Sequence, residues 1–568
     1  MAAKTISRRD FLKGMAAGAV GVASVGLFSS CSATQTGTDS PNSSGPADTQ
    51  EALSELTASW LGSEPELSKL NISEELTTEV LICGAGTGGL FAGAATVEKG
   101  LKTLIIEKNA MPGTVRDDIG AIGSRLQKEA GTLLDKEEAI HYHIAHCAHR
   151  IDQRLTRIWA DESGAAVDWY ENLFKERNAG KLWHEGGYDQ MEFTGRFKKF
   201  ATGHSPEYAP DMSGTKLVSE YFLEKGGEIR FETPFVRFVY EGRKVTGAIA
   251  KDKASDSYIK INATKGVILA TGGYQQNNAM MNALQPDSTN LTPAIADGAI
   301  AGDGIKACIW MGAEMDDVHT SLLFDRCALK PDQTPATATE SGLFWIGSQP
   351  FLKVNLNGER FANESTPYDY ILHASSLQPG KCFVSIYDSS FMDDISRFQT
   401  VGCSRSYFNF PNGAPPTFPS PVLDGMLAGL LEKGFIQQAD TIEELAAKLN
   451  LPVENLVATA DRYNALFDAQ KDDDFFKEPY RLSSLRNPPY YGVRVCAQLL
   501  STLDGIRIDS FMRPLDKDCQ PFEGLHVIGD ASGSYYAHSY PNLFTGHAAG
   551  RTLTFARRVA RILAGDQV

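Results

Sequence analysis

The sequence has no Cys-x-x-Cys pair, no Cys-x-x-Cys-His and no dense cysteine pattern, although nine cysteines are spread over its 568 residues. Those spacings are what a zinc ribbon, a covalent c-type haem or a disulfide framework would need within this chain. Long apolar runs are missing as well: none reaches the ~18 residues of a membrane span. Positive charge is scarce. Lys+Arg number 54 against 70 Asp+Glu, a net charge of −16, and no basic stripe forms after the first few residues. A nucleic-acid partner is therefore not expected. With 42% hydrophobic and 22% charged residues, the chain has globular composition. Its length exceeds the roughly 250–300 residues of a single core, which predicts either one large domain with an insertion or two domains.

The N-terminus reads as an address. Ser7-Arg8-Arg9-Asp10-Phe11-Leu12-Lys13 is a twin-arginine export motif, and the Gly/Ala-rich stretch 14–28 follows as its apolar region. A basic amphipathic helix is the alternative, weakened by Gly18 and Gly21. Phe28-Ser29-Ser30-Cys31 resembles a lipoprotein processing box with Phe in place of Leu, so lipidation of Cys31 is one of two open outcomes. Residues 34–54 are rich in Ser, Thr, Gly and Pro, as a flexible tether is. The expected organisation is a signal peptide over 1–31, a linker over 32–73 and ordered chain from near Ile72. The expected location is the periplasm or the outer face of the cytoplasmic membrane.

Glu79-Val80-Leu81-Ile82-Cys83 is a short β-prone run that leads directly into Gly84-Ala85-Gly86-Thr87-Gly88-Gly89. An Ala-rich helical stretch follows, ended by Gly100, and a second strand, Thr103-Leu104-Ile105-Ile106, reaches Glu107 and Lys108. In this strand–turn–helix–strand setting the glycines let the chain turn tightly, approach a pyrophosphate and pack helix on strand. The helix N-terminus points its amides at the phosphates, and Glu107 stands where a carboxylate accepts from an adenosine ribose. An acidic residue there disfavours NADP and leaves FAD or NAD. Two further strands run into Ala270-Thr271-Gly272-Gly273 and into Gly529-Asp530, where an acidic side chain can bond a flavin's ribityl chain. The last helix, beginning at Gly546 and His547, would aim its positive N-terminal end at the flavin.

Taken in order, the Glu107 site, Ala270-Thr271-Gly272-Gly273, Ala301-Gly302-Asp303-Gly304, Asn355-Leu356-Asn357-Gly358-Glu359-Arg360-Phe361-Ala362-Asn363-Glu364 and Gly529-Asp530 resemble the FAD-dependent fumarate reductase / succinate dehydrogenase flavoprotein superfamily. The resemblance spans about residues 75–560. It extends to exported reductases of the flavocytochrome c and urocanate reductase type, and to 3-ketosteroid Δ1-dehydrogenases. It implies an α/β fold: a Rossmann-like, glutathione reductase-type FAD-binding domain in two segments, 74–317 and 501–568, with an α+β cap inserted over 318–500. Non-covalent FAD is implied as the cofactor, held by Gly84, Ala85, Gly86, Gly88, Gly89, Glu107, Lys108, Thr271, Gly272, Asp303, Gly529, Asp530, Gly546 and His547. Within the cap, residues 441–469 read as helix, with a capping-box start at Asp440-Thr441-Ile442-Glu443-Glu444.

The pattern breaks where substrate would bind. Members that reduce fumarate carry Thr-Thr-Arg-Asp after the Asn-Glu pair, and that arginine delivers a proton. Here Thr366-Pro367-Tyr368-Asp369, one residue after Asn363-Glu364, stands in its place, with Tyr368 on the arginine position. The family's His-Thr pair is replaced by the Leu500-Ser501-Thr502 stretch, and its carboxylate-clamping arginine is absent from Asn542-Leu543-Phe544-Thr545-Gly546. A dicarboxylate needs cations to hold it, so fumarate is not the expected substrate. Tyr540-Pro541 and Gly546 resemble the ketone-holding Tyr-Pro and Gly of ketosteroid dehydrogenases, with two extra residues between, and Tyr368 matches their catalytic tyrosine. The catalytic set expected is Tyr368, Tyr540 and Gly546; packing in the cap crevice is the other reading of both tyrosines. His141, His143, His146, Cys147 and His149 crowd one helix without obvious further metal ligands, and no metal is expected. Cys83 reads as a buried strand residue, and Asp472-Asp473-Asp474 as a solvated turn.

The resemblance therefore implies an exported FAD reductase that saturates a C=C bond conjugated to a carbonyl. Its electrons would come from a separate cytochrome or quinol-linked membrane partner. The alternative is a ketosteroid-type dehydrogenase running in reverse. A flavoprotein electron carrier is the third reading, for which a large cap has no evident use.

Overall fold

The computed structural model describes residues 60–568 apart from 186–191, 194–196, 289–291, 294–299, 399, 401–404 and 410–412. The twin-arginine motif, the stretch 14–28, Cys31 and the tether 34–54 lie outside the described residues. Described chain begins before the expected Ile72. Trp60 is buried, Arg237 donates to Pro65 O (2.6 Å), and Arg237 pairs with Glu64 (2.9 Å), so the end of the expected linker is packed against the body.

Strand β1 (Ile72–Cys83) alternates in exposure at first and then buries Val80, Leu81, Ile82 and Cys83 completely. A strand end buried on both faces belongs in the middle of a parallel sheet. β1 pairs in parallel with β2 (Thr103–Ile106) on one side and β6 (Ser257–Leu269) on the other. β3 (Glu228–Arg230) extends the sheet beyond β2, and β12 (Leu525–Val527) lies parallel to the end of β6. The antiparallel β5 (Lys244–Asp252) and β4 (Phe235–Glu241) complete seven strands. Register decides where the motifs fall. Cys83 is level with Ile106 and Leu269, and Leu269 with Val527. The segments that follow, 84–89, 107–108, 270–273 and 528–530, therefore emerge together at the carboxyl edge, where open α/β sheets bind ligands.

Helix α1 (Thr87–Glu98) follows the glycine turn, with Gly100 at φ +74° just past its end. Helices α2 (Lys136–His146) and α3 (Gln153–Glu176) start on Asp135 and Asp152, whose carboxylates accept from Glu138 N–H and Arg154 N–H (3.0 Å each). The last helix, α7 (His547–Ala564), packs against α1 and α3.

A second sheet of seven strands is built on the long β11 (Tyr490–Thr502). β7 (Ser321–Leu329), β9 (Phe383–Asp388) and β10 (Ile436–Ala439) all run antiparallel to β11, and β8 (Leu352–Val354) pairs with β9. Thr292–Pro293, expected in the first segment of the FAD domain, also pairs with β11. The helical stretch expected over 441–469 is two helices, α5 (Ile442–Lys448) and α6 (Val453–Ala469). Pro452 separates them: it holds residue 451 out of the helical region and brings no N–H of its own. The predicted cap of α5 is present, with Thr441 accepting from Glu444 N–H (3.1 Å).

One surface expectation is overturned here. Asp472 is buried, not solvated, and pairs with Arg360 (2.8 and 3.1 Å), which also grips Glu364 through two bonds of 2.9 Å. Lys477 completes the cluster 3.4 Å from Glu364. The Arg and Glu of the motif at 355–364 thus join the turn at 472–477 in a buried charge network. Losing one partner of such a pair costs about 3–5 kcal/mol.

Candidate active site

The glycine turn shapes a cradle. Gly84, at φ +101°, comes so close to β6 that an added Cβ would lie 2.6 Å from Ala270 O. At Gly89 it would lie 1.8 Å from Gly84 O, which is how α1 approaches its strand. At Gly86 nothing lies within 4 Å of an added Cβ. Gly86 is also the N-cap of α1 and offers no side chain to the free amides of the first turn. Open space in front of uncapped amides suits a pyrophosphate.

The polar groups around this edge are already oriented. Glu107 is buried and accepts from Ala85 N–H (2.8 Å) and Asn109 N–H (2.9 Å), with further lone pairs left for ribose hydroxyls. Lys108 reaches Asp303 (3.0 Å), joining two motifs 195 residues apart. Thr271 Oγ1 is buried with no hydrogen-bond partner among the described residues. Asp530 accepts from Arg116 (3.2 Å) and from Ser501, and Arg551 lies 3.8 Å away. Arg116 carried no signal in the sequence, because its role exists only through this contact across 414 residues. These residues fit FAD: a phosphate cradle, a ribose carboxylate and a polar group for the ribityl chain line one edge.

At the start of α7, Gly546 (φ +69°) accepts from Gly120 N–H (2.7 Å). An added Cβ there would be 2.7 Å from Gly120 N, so the turn requires glycine. Tyr540 is buried, and its oxygen accepts from Ala548 N–H (3.1 Å) in the first turn of α7. His547 is wholly buried and shares a hydrogen bond with Tyr535 Oη (2.8 Å). Burial holds its pKa, like that of His143, well below the usual imidazole value, so both are neutral.

Tyr368 opens α4 (Tyr368–Ser376), is buried and packs edge-on against Phe324 (5.6 Å). The residue after it was not singled out in the sequence. Asp369 is fully buried and accepts from Leu323 N–H (3.2 Å) in β7, Tyr540 N–H (3.0 Å) and Ser539 Oγ. One carboxylate therefore ties the segments bearing Tyr368 and Tyr540 together. Next along, Tyr370 stacks on His146 (5.1 Å, 10°), whose pKa burial lowers to about 4. Of the other crowded residues, His143 meets Thr156 Oγ1 (2.9 Å), with Cys147 Sγ 3.7 Å away, and His149 is exposed. Cys83 is buried, and burial raises its thiol above the ordinary range.

One cation lies against the 541–546 segment and a second lies near Glu185, though the sequence did not mark them. Lys199 donates to Asn542 O (2.9 Å), and Arg405 donates to Ser205 Oγ (2.9 Å) and lies 3.5 Å from Glu185. Both are buried, and their charge faces carboxylates and carbonyls of the chain itself.

Known proteins resemble the chain in sequence and fold. The chain is similar to a vinyl phenol reductase of Lactiplantibacillus plantarum, 25% identical over 84% of this chain and 95% of that protein. It is similar to a 3-oxosteroid 1-dehydrogenase of Mycobacterium tuberculosis, 28% identical over 59% of each chain. Its fold matches the open conformation of a flavocytochrome c3 fumarate reductase with a TM-score of 0.62, at 23% identity over 91% of this chain and 81% of that one. The protein is an FAD-dependent oxidoreductase, and with residues 79–542 matching the family model for the FAD binding domain, it belongs to that family.

Proposed function

We propose that the protein is an exported reductase that saturates a carbon–carbon double bond conjugated to a carbonyl. The observation that carries this reading is the bond from Tyr540 N–H to Asp369 (3.0 Å), which fixes the two tyrosine-bearing segments against each other at the start of α7. FAD held at this edge, once reduced with two electrons by the external donor, would supply the hydride for the β-carbon. A phenol has an ordinary pKa of about 10 and is protonated at neutral pH, so Tyr368 serves as the acid that protonates the α-carbon. Tyr540, with amides at the start of α7, holds and polarises the carbonyl. The relative named as a vinyl phenol reductase supports reduction of a C=C bond. The relative named as a 3-oxosteroid 1-dehydrogenase supports a second reading, in which Tyr368 acts as the base of the reverse reaction.

Fumarate is excluded from the proposal. Tyr368 occupies the position of the proton-delivering arginine, Lys199 donates to Asn542 O, and Arg405 faces Glu185. Export rests on the twin-arginine motif, with Cys31 as a possible lipid anchor. The electron donor would be a separate cytochrome or quinol-linked partner. Anaerobic assays of the FAD-loaded protein with reduced viologen, against enones, phenylacrylates and fumarate, test the reaction. Turnover of an enone or phenylacrylate with none of fumarate is expected. Oxidation of a 3-ketosteroid with an artificial acceptor, and no reduction of any enone, would replace this reading with the second.

A further inference from the structure

We infer that a cleft between residues 149–154 and 507–521 is a second ligand site, suited to a small organic anion with one carboxylate or phosphate head and an apolar body. The cleft has a volume of about 540 Å³, within the range of roughly 300–1,000 Å³ of small-molecule sites. Four arginines line it, and their partners divide them into two kinds. Arg154 is held by Asp152 (2.9 Å), and Arg513 by Asp509 (2.7 and 2.9 Å). Arg150 has no ion pair among the described residues, and Arg507, which donates to Cys519 Sγ (3.5 Å), pairs with no carboxylate among them.

Two further acids face the cleft. Asp316 accepts from Ser534 N–H (2.8 and 3.0 Å), and burial raises its pKa to about 7, which leaves it partly neutral. Asp317 is exposed at the rim. Arg507 acts on the partly neutral Asp316, and Arg150 stands at the exposed side of the cleft without a carboxylate within ion-pair distance among the described residues, so these two guanidiniums are the ones placed to meet an anion. Charge-assisted bonds to a carboxylate or phosphate suit them, while Val318, Ile508 and Leu515 offer apolar surface to the rest of the ligand.

The inner wall includes Tyr536, whose hydroxyl is buried with no hydrogen-bond partner among the described residues. Its ring lies 5.8 Å from that of Tyr540 and 5.7 Å from His547, so the cleft shares a wall with the candidate active site without including Tyr368 or Tyr540.

Calorimetric titration of the FAD-loaded full chain with inorganic phosphate, phenyl phosphate and benzoate tests the site, whatever reaction the enzyme catalyses. One equivalent of phenyl phosphate or benzoate should bind, more tightly than inorganic phosphate, and the tighter of the two identifies the preferred head. Arg150→Ala and Arg507→Ala should each weaken that binding about tenfold or more, the loss of one charge-assisted hydrogen bond. Flavin absorbance and Tm should stay unchanged, and because Arg150 is exposed its variant alone suffices if the other is unstable. No saturable binding of any probe would overturn the inference, and so would an unchanged Kd in the double variant.

Discussion

Tyr368 stands first in α4, buried against Phe324, with Asp369 beside it anchored to the opposite segment. Removing only the hydroxyl leaves that packing in place. Tyr368→Phe should therefore keep its FAD and bind substrate, yet lose about 10²–10⁴-fold in turnover, the range for a positioned general acid. Flavin reduction by viologen should be unaffected, because protonation of carbon belongs to the other half-reaction. Unchanged turnover in this variant would make Tyr368 a packing residue and shift the acid to Tyr540. Asp369→Asn sets an NH2 or a weaker acceptor against three donors: Leu323 N–H, Ser539 Oγ and Tyr540 N–H. A loss of about 1–3 kcal/mol of stability is expected, the cost of a mismatched buried hydrogen bond, and chemical denaturation of the FAD-loaded protein measures it.

Among the elements, the glycine turn gives the sharpest contrast. Gly86→Val places its side chain in open space, so the chain should fold while the phosphate cradle is filled and FAD is lost. Gly89→Val meets the Gly84 carbonyl at 1.8 Å and should damage the fold itself. Circular dichroism with flavin absorbance separates the two outcomes. Glu107→Gln should retain the fold and weaken FAD binding by about 1–3 kcal/mol, read as a shift in the FAD dissociation constant. This cradle was legible because its parts are local: each motif directly follows a strand, and parallel register brings the strand ends level. The break between α5 and α6 was also written locally, in Pro452, but helical periodicity masked it. Asp369 was not legible, because its partners Ser539 and Tyr540 lie 170 residues away. Asp472 looked like part of an acidic surface turn for the same reason: Arg360 is 112 residues distant. Arg116, Lys199 and Arg405 likewise acquire meaning only through the fold.

For the whole molecule, the two sheets divide the work. The first gathers the phosphate and ribose groups at one edge, and the second carries Asp369 on the helix that follows its own strands. The neighbourhood of Tyr368 and Tyr540 is rich in aromatic rings, with Phe324 and Tyr536 against them, and the guanidiniums of Arg326 and Arg551 stack over those two rings. Such surroundings favour a flat conjugated carbonyl compound over a small dianion. The most direct test is anaerobic stopped-flow mixing of the reduced FAD-loaded protein with an enone or phenylacrylate, and separately with fumarate, while flavin absorbance is followed. Rapid reoxidation by at least one conjugated carbonyl substrate, slowed in Tyr368→Phe, is expected, with no reoxidation by fumarate above the buffer control. Reoxidation by fumarate as fast as by any enone, or by no unsaturated carbonyl compound at all, would contradict it.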